Sequence, residues 1–151
     1  MRLAIVTGGS RGLGLALCEA LTAAGYRVIE FSRGAPHAYS VRVDLSSPED
    51  SARIVATAIA AMDGKAIEEL LVINNAGTLD PIGRAARKAQ AAVLANLNAN
   101  FASAILVLAT IMQHFQGAAC RKVVANISSG AAQKGYAGWS LYCAAKAGME
   151  N

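Results

Sequence analysis

Four glycines fall within seven residues near the start of the chain, in Thr7-Gly8-Gly9-Ser10-Arg11-Gly12-Leu13-Gly14. Leu3 to Thr7 before them is a short apolar run, and apolar residues resume after them at helical spacing up to Ala24. Glycines end a strand sharply because they adopt backbone conformations closed to other residues. The pattern is therefore strand, tight turn, helix. Gly25 stands where a helix C-cap is expected, and Arg27 to Phe31 reads as a second strand, which completes a βαβ unit.

The alternation continues. Val41 to Asp44 reads as a third strand, followed by Ser47 as N-cap, Pro48 at the first helical position and Glu49 and Asp50 in the first turn. That helix is expected to run to about Met62. Leu70 to Asn74 is a fourth strand and Lys122 to Ile127 a fifth, with a long helical region between. Strands alternating with helices imply an α/β fold, a Rossmann-type doubly wound parallel sheet. Only Arg33 to Ser40 joins strands two and three, where a parallel crossover takes about a dozen residues or more, so the usual helix there is expected to be missing. Tyr142 to Asn151 begins a helix with no stop signal, and only five strands precede it. The expectation is one NAD(P)-binding Rossmann domain over 1–151, truncated at its C-terminal end and lacking its last strands.

Composition narrows the class. Of 151 residues 54% are hydrophobic and 16% charged, which excludes disorder and supplies one domain with a core. The 14 basic and 10 acidic residues leave a net charge of +4, but the basic ones are scattered, so no nucleic-acid partner is expected. The longest strictly apolar run, Ala104 to Ala109, falls short of the ~20 residues of a membrane span, and no membrane partner is expected. Cys18, Cys120 and Cys143 show no paired spacing and no secretory segment follows Met1, which points to the reducing cytoplasm. Ala89 to Cys120 contains no Asp, Glu, Lys or Arg over 32 residues. A helix this apolar all round buries more than one side, against the sheet and, as an expectation, against another subunit.

The chemistry starts at the glycine turn. A dinucleotide pyrophosphate docks on the free N–H groups of a helix N-terminus, where side chains would obstruct it. Gly8 would make the turn, Gly12 permit close approach and Gly14 permit tight packing, with Thr7, Gly9, Ser10, Arg11 and Leu13 completing the contact. The alternative is a tight structural loop. At the end of strand two an acidic residue would bond a ribose 2′-hydroxyl and a basic one a 2′-phosphate. Ser32 and Arg33 stand there, with Arg11 as a second guanidinium, so NADP is favoured over NAD. Glu30, two residues before Ser32 and on the same strand face, keeps NAD open. Asn74-Asn75-Ala76-Gly77 closes strand four at the ligand-binding edge, where the amides either stitch neighbouring strands or touch a ligand.

Tyr142 and Lys146 lie four apart on one helix face, and Ser129 precedes the tyrosine by thirteen residues (142 − 129 = 13). An ammonium beside a phenol favours the phenolate and makes it a usable general acid or base. Ser129 after strand five is placed to hydrogen-bond a carbonyl oxygen as charge develops. Cys143 reads as a small buried hydrophobe, and His37 and His114 lack ligand spacing, so no metal site is expected. Trp139 and Tyr136 either line a substrate pocket or pack as ordinary aromatics.

Thr7 to Gly14, Asn74 to Gly77, Ser129 and Tyr142 to Lys146 together, in this order and at these spacings, resemble the short-chain dehydrogenase/reductase family over the whole chain. The resemblance implies a catalytic Ser129, Tyr142 and Lys146, with the last two also contacting the cofactor, and an active-site asparagine on the helix before strand five. Asn96, Asn98 and Asn100 lie there; Asn100-Phe101-Ala102-Ser103 matches the family's pattern best, with Asn98 as fallback. It implies that this asparagine holds a water in a proton relay through the lysine. It also implies that Asp44 and Leu45 flank the adenine ring and that Asn75, Ala76 and Gly77 contact the cofactor. Within the family, Gly138 to Cys143 with Asn74 to Thr78 is similar to sepiapterin reductase-like and benzil reductase-like members. The expected activity is NADP-dependent reduction of a ketone, dicarbonyl or pteridine side-chain carbonyl, by a homodimer or homotetramer. The alternative is a non-catalytic dinucleotide-binding or interaction module.

Overall fold

A computed structural model describes all residues, Met1–Asn151. Five parallel strands, β1 (Arg2–Thr7), β2 (Arg27–Ser32), β3 (Ser40–Arg42), β4 (Glu69–Asn74) and β5 (Arg121–Asn126), form one sheet in the order β3-β2-β1-β4-β5. Because β1 is central, its carboxyl end marks the point where the chain crosses from one half of the sheet to the other. Ligands of such sheets bind in the crevice there.

The two faces of β1 alternate as a parallel strand requires. Leu3 and Ile5 join Phe31, Val55, Ile59, Leu70, Val107 and Ile111 in the larger core, beneath α2 (Pro48–Ile59) and α4 (Ser103–His114). Ala4 and Val6 join Cys18, Val28 and Ile73 in a smaller core beneath α1 (Gly12–Ala23). The remaining helices are α3 (Gln90–Leu97), which meets α4 through a π-helical turn at Asn98–Ala102, and α5 (Ser140–Glu150).

The expected gap between β2 and β3 is real: no helix joins them, and Gly34 to Tyr39 passes over as loop. Three expectations need correcting. β3 is only three residues long and ends at Arg42, so Asp44 lies past the strand rather than closing it. Helix α2 stops at Ile59, short of Met62, and its N-cap Ser47 makes no side-chain cap bond. The hydroxyl of Ser51 is turned back instead, donating to Asp44 O at 3.0 Å and Ser47 O at 2.8 Å. The third correction concerns the charge-free region, because Gln90–His114 runs as one helix of 25 residues whose most apolar 18-residue window has a mean hydropathy of 1.7. By length and composition that helix could cross a membrane. In this fold Val107 and Ile111 pack into the larger core and α4 lies along α2, while Leu94, Ile105 and Leu106 are exposed.

Candidate active site

The glycine loop leaves β1 at Thr7 and turns at Gly8, whose φ of +72° is left-handed backbone that an L side chain strains to adopt. The Gly8 N–H donates to Phe31 O at 2.8 Å, which ties the turn to β2. Gly14 is required by space: a Cβ there would stand 2.2 Å from Gly8 O and 2.5 Å from Asn75 Nδ2. Helix α1 starts with Arg11 extended before it, no side-chain cap bond and no acidic residue in its first turn. Its first N–H groups therefore have no side-chain acceptor, an arrangement that takes an anion.

This helix start opens on a cleft of about 910 Å³ along the carboxyl edge of the sheet. Gly8, Ser10, Arg11, Gly12, Leu13 and Gly14 line it from the loop, Ser32 and Arg33 from the end of β2, Asp44 and Leu45 from beyond β3, and Asn75, Ala76 and Gly77 from beyond β4. Arg11 and Arg33 are exposed and make no ion pair. Asp44 is held below the ordinary carboxylate range, chiefly by the Ser46 N–H at 3.0 Å, then by the Ser46 hydroxyl and least by the charge of Arg33.

Four expected cofactor contacts fall outside this lining: Thr7, Gly9, Tyr142 and Lys146. Thr7 is buried, and its Oγ1 accepts the N–H groups of Asn75 and Ala76, each at 3.1 Å, while donating to Asn74 Oδ1 at 3.2 Å. Gly9 gives its N–H to the carboxylate of Glu30 at 2.8 Å. The Glu30 side chain that kept NAD open is fully buried beneath the loop and does not line the cleft. The stitching alternative for the asparagines holds for Asn74, whose Nδ2 donates to Asn126 Oδ1 at 3.3 Å. Asn75 serves both ways, donating to Thr7 O and Gly8 O at 3.1 and 3.0 Å while facing the cleft.

The other group of predicted residues gathers beyond Gly77. Tyr142 and Lys146 lie one turn apart on α5, and the Lys146 Nζ sits 5.7 Å from the Tyr142 ring centroid. Lys146 is only 5% exposed and donates to Ile127 O at 2.6 Å; burial pulls its ammonium below the ordinary lysine range. Asn100 sits in the π-helical turn, where its Oδ1 accepts the Thr78 N–H at 2.8 Å and its Nδ2 donates to Thr78 O at 2.8 Å and Asn96 O at 3.0 Å. Asn98, the fallback, turns away and donates to Ser46 O at 3.0 Å. Ser129 lies past β5 and starts a 3-10 turn at Gly130–Ala132, its Oγ accepting the Ala131 N–H at 3.1 Å. Tyr136, with its hydroxyl 3.4 Å from the Cβ position of Gly130, packs 5.0 Å from Trp139, which stands edge-on to Tyr142 at 6.3 Å.

Gly77 joins the two groups. It lines the cleft, and a Cβ on it would lie 3.2 Å from Asn100 Oδ1, 3.8 Å from Tyr142 Cε2 and 3.9 Å from Lys146 Nζ. Ser129, Tyr142, Lys146 and Asn100 themselves do not line the cleft. Sequence reasoning missed Asn96, which faces the cleft, ties down the following loop by donating to Thr78 O at 3.2 Å and Asp80 O at 2.7 Å, and keeps a buried Oδ1 without a partner. The signal was present in Ala92, Ala95, Asn96 and Ala99, small residues at helical spacing that form one wall of the cleft.

The profile of the family described as short chain dehydrogenase matches residues 2–151. Benzil reductase ((S)-benzoin forming) of Bacillus subtilis is 31% identical over 155 residues, which cover 99% of this chain and 64% of that protein. Sepiapterin reductase of Bos taurus is 29% identical over 169 residues, covering 96% of this chain and 62% of its own length. The chain thus spans a little under two thirds of these curated relatives, at 64% and 62%. A crystal structure of a short-chain dehydrogenase/reductase from Burkholderia vietnamiensis superposes with a TM-score of 0.79 at 35% identity, covering 96% of this chain and 73% of that one. With its parallel sheet, its glycine loop and a match over nearly every residue, the chain belongs to the short chain dehydrogenase family of oxidoreductases.

Proposed function

We propose that this chain carries the cofactor cleft and the proton-handling side chains of an NADP-dependent carbonyl reductase. The observation that carries the proposal is Gly77, which faces the cleft and has Asn100, Tyr142 and Lys146 within 4 Å of its Cβ position. A dinucleotide fits the residues present: the uncapped start of α1 suits a pyrophosphate, and the unpaired Arg11 and Arg33 beside Ser10 and Ser32 suit a 2′-phosphate. When bound, a reduced nicotinamide supplies the hydride that goes to the substrate's carbonyl carbon.

The chain's own side chains handle the oxygen. Ser129 donates a hydrogen bond to the carbonyl oxygen as negative charge grows on it. Tyr142 delivers the proton from its hydroxyl. Lys146, buried and fixed by Ile127 O, presents a positive charge to the tyrosine that favours loss of its proton. Asn100, locked onto Thr78, holds the π-helical turn open beside that lysine. The Bacillus subtilis relative supports a ketone or vicinal dicarbonyl substrate, and the bovine one a pteridine side-chain carbonyl. On this reading the protein works in the reducing cytoplasm as a homodimer or homotetramer, with the exposed Leu94, Ile105 and Leu106 as association surface.

One observation favours a second reading, a dinucleotide-binding module without turnover: the Ser129 hydroxyl is engaged by Ala131 and lies outside the cleft. The full-length protein separates the two. Consumption of reduced nicotinamide is followed with diketones, pteridines and simple ketones, with NADPH and NADH in parallel. Turnover of one substrate class with NADPH preferred is expected, whereas firm NADPH binding with no turnover of any class supports the module.

A further inference from the structure

Glu30 is the one carboxylate in the buried interior, with no exposed surface at all. It stands in β2 opposite Val6 of β1, on the strand face that packs against α1. Its Oε1 accepts the Gly9 N–H at 2.8 Å, and the preceding amide, Gly8 N–H, donates to Phe31 O at 2.8 Å. Two consecutive amides of the glycine loop are therefore held by β2. The loop roofs the carboxylate closely, since a Cβ on Gly9 would fall 2.4 Å from Glu30 Cγ and 2.7 Å from Cys18 Sγ. Glu30 Oε2 has no hydrogen-bond partner, and no lysine or arginine pairs with the carboxylate.

A buried charge without a cation is costly, and the surrounding Val6, Cys18 and Val28 would accept an apolar residue more cheaply. Something must offset that cost. On the outer side of the same loop, Ser10 and Arg11 line the cleft, and Ser10 Cβ lies 3.6 Å from the Cβ position of Gly34, next to Arg33. The residues suited to a 2′-phosphate are thus one and two positions along the chain from the amide Glu30 holds. Of the charged groups at this end of the cleft, Arg11 and Arg33 attract a phosphate, while Asp44, which lines the cleft near Arg33, and Glu30, acting through the loop, repel one.

We propose that Glu30 is a specificity-determining residue, which fixes the glycine loop through the Gly9 N–H and sets a buried negative charge against a 2′-phosphate bound on the loop's far side. The inference rests on reading the cleft as a dinucleotide site. It makes the cofactor preference a balance, with Arg11 and Arg33 pulling toward NADPH and Glu30 narrowing the margin over NADH.

The test measures dissociation constants of NADPH and NADH, by nicotinamide fluorescence at low ionic strength, for the full-length wild type and Glu30→Gln. Glutamine keeps an oxygen for the Gly9 N–H and removes the charge at nearly the same shape, with an NH2 group in place of the partnerless Oε2. NADPH is expected to bind about fivefold tighter in the variant, with NADH changed by less than about twofold, since only NADPH carries the extra phosphate charge. Glu30→Met, which refills the same space with apolar atoms, reports the same ratio should the glutamine variant fold poorly. An NADPH-to-NADH ratio that neither variant moves, or a shift shared equally by both cofactors, overturns the proposal. A wild type that binds neither dinucleotide overturns the reading of the cleft, and this inference with it.

Discussion

β1 and β5 are both six-residue strands hydrogen-bonded in parallel to β4, and they are built to different standards. Every residue of β1 after Arg2 is buried, whereas no residue of β5 is. At the end of β1 the Thr7 hydroxyl takes two backbone N–H groups and Asn75 returns two bonds to the loop, so the start of the cleft is welded before any ligand arrives. Past the end of β5 the chain reaches Ser129 tied to α5 from outside the sheet: Lys146 donates to Ile127 O, and Ser128 and Gln133 both donate to the carboxylate of Glu150 near the end of that helix. A binding surface that must hold several phosphate oxygens in register gains from such preorganisation. The side proposed to handle the proton is positioned by one buried lysine, by two bonds to an exposed glutamate and by close packing around a glycine.

The contrast can be broken or sharpened at several points. Tyr142→Phe leaves the β1 side untouched, so it should bind cofactor as the wild type does and lose about 10²- to 10⁴-fold in kcat; substantial residual turnover in steady-state assays would remove the chemistry from α5. Thr7→Val keeps the shape but orphans the half-buried N–H groups of Asn75 and Ala76, and urea unfolding should show a loss of about 2 kcal/mol. A loss below about 0.5 kcal/mol would mean the weld is not where the stability lies. The strands can also be compared directly: Val6→Ala in β1 should cost about 2 kcal/mol and Val124→Ala, 40% exposed in β5, no more than about 0.5 kcal/mol. Equal losses would abolish the difference. Asp44→Asn should have the smallest effect. The Asp44 carboxyl is depressed in the folded chain, so its stabilisation is present above the ordinary carboxylate value and is lost as pH falls toward the folded one. Asparagine still accepts the Ser46 N–H, and an acid titration of stability should show a shallower fall in that window alone.

Much of the β1 side was legible because glycine spacing and strand order carry direct steric meaning. The missing helix between β2 and β3 followed from counting residues, and the face shared by Tyr142 and Lys146 followed from helical spacing. What was hidden depended on tertiary contact. Strand alternation put Glu30 on the face of Ser32, but not that the loop would fold over it and take its carboxylate. Thr7 looked like part of a ligand cradle because nothing local reveals that its hydroxyl is consumed by the turn after β4. The π-helical turn at Asn98–Ala102 cannot be seen in an apolar stretch, yet it is what sends Asn98 toward Ser46 and Asn100 toward Thr78. The end of β3 was misjudged because Val43 is buried like a strand residue while lying outside the ladder.

Gly77 carries no reactive atom, yet its Cα stands between the cleft and the side chains of Asn100, Tyr142 and Lys146. A survey of every substitution at every position would therefore score position 77 as intolerant as Tyr142. The two would be told apart by what is lost: a methyl group at 77 presses on Asn100 Oδ1 from 3.2 Å and narrows the cleft, so binding and turnover are expected to fall together, while loss of the phenol hydroxyl is expected to spare binding. Intolerance at this locus measures the thickness of a partition, and a partition one hydrogen atom thick leaves evolution no smaller residue to try.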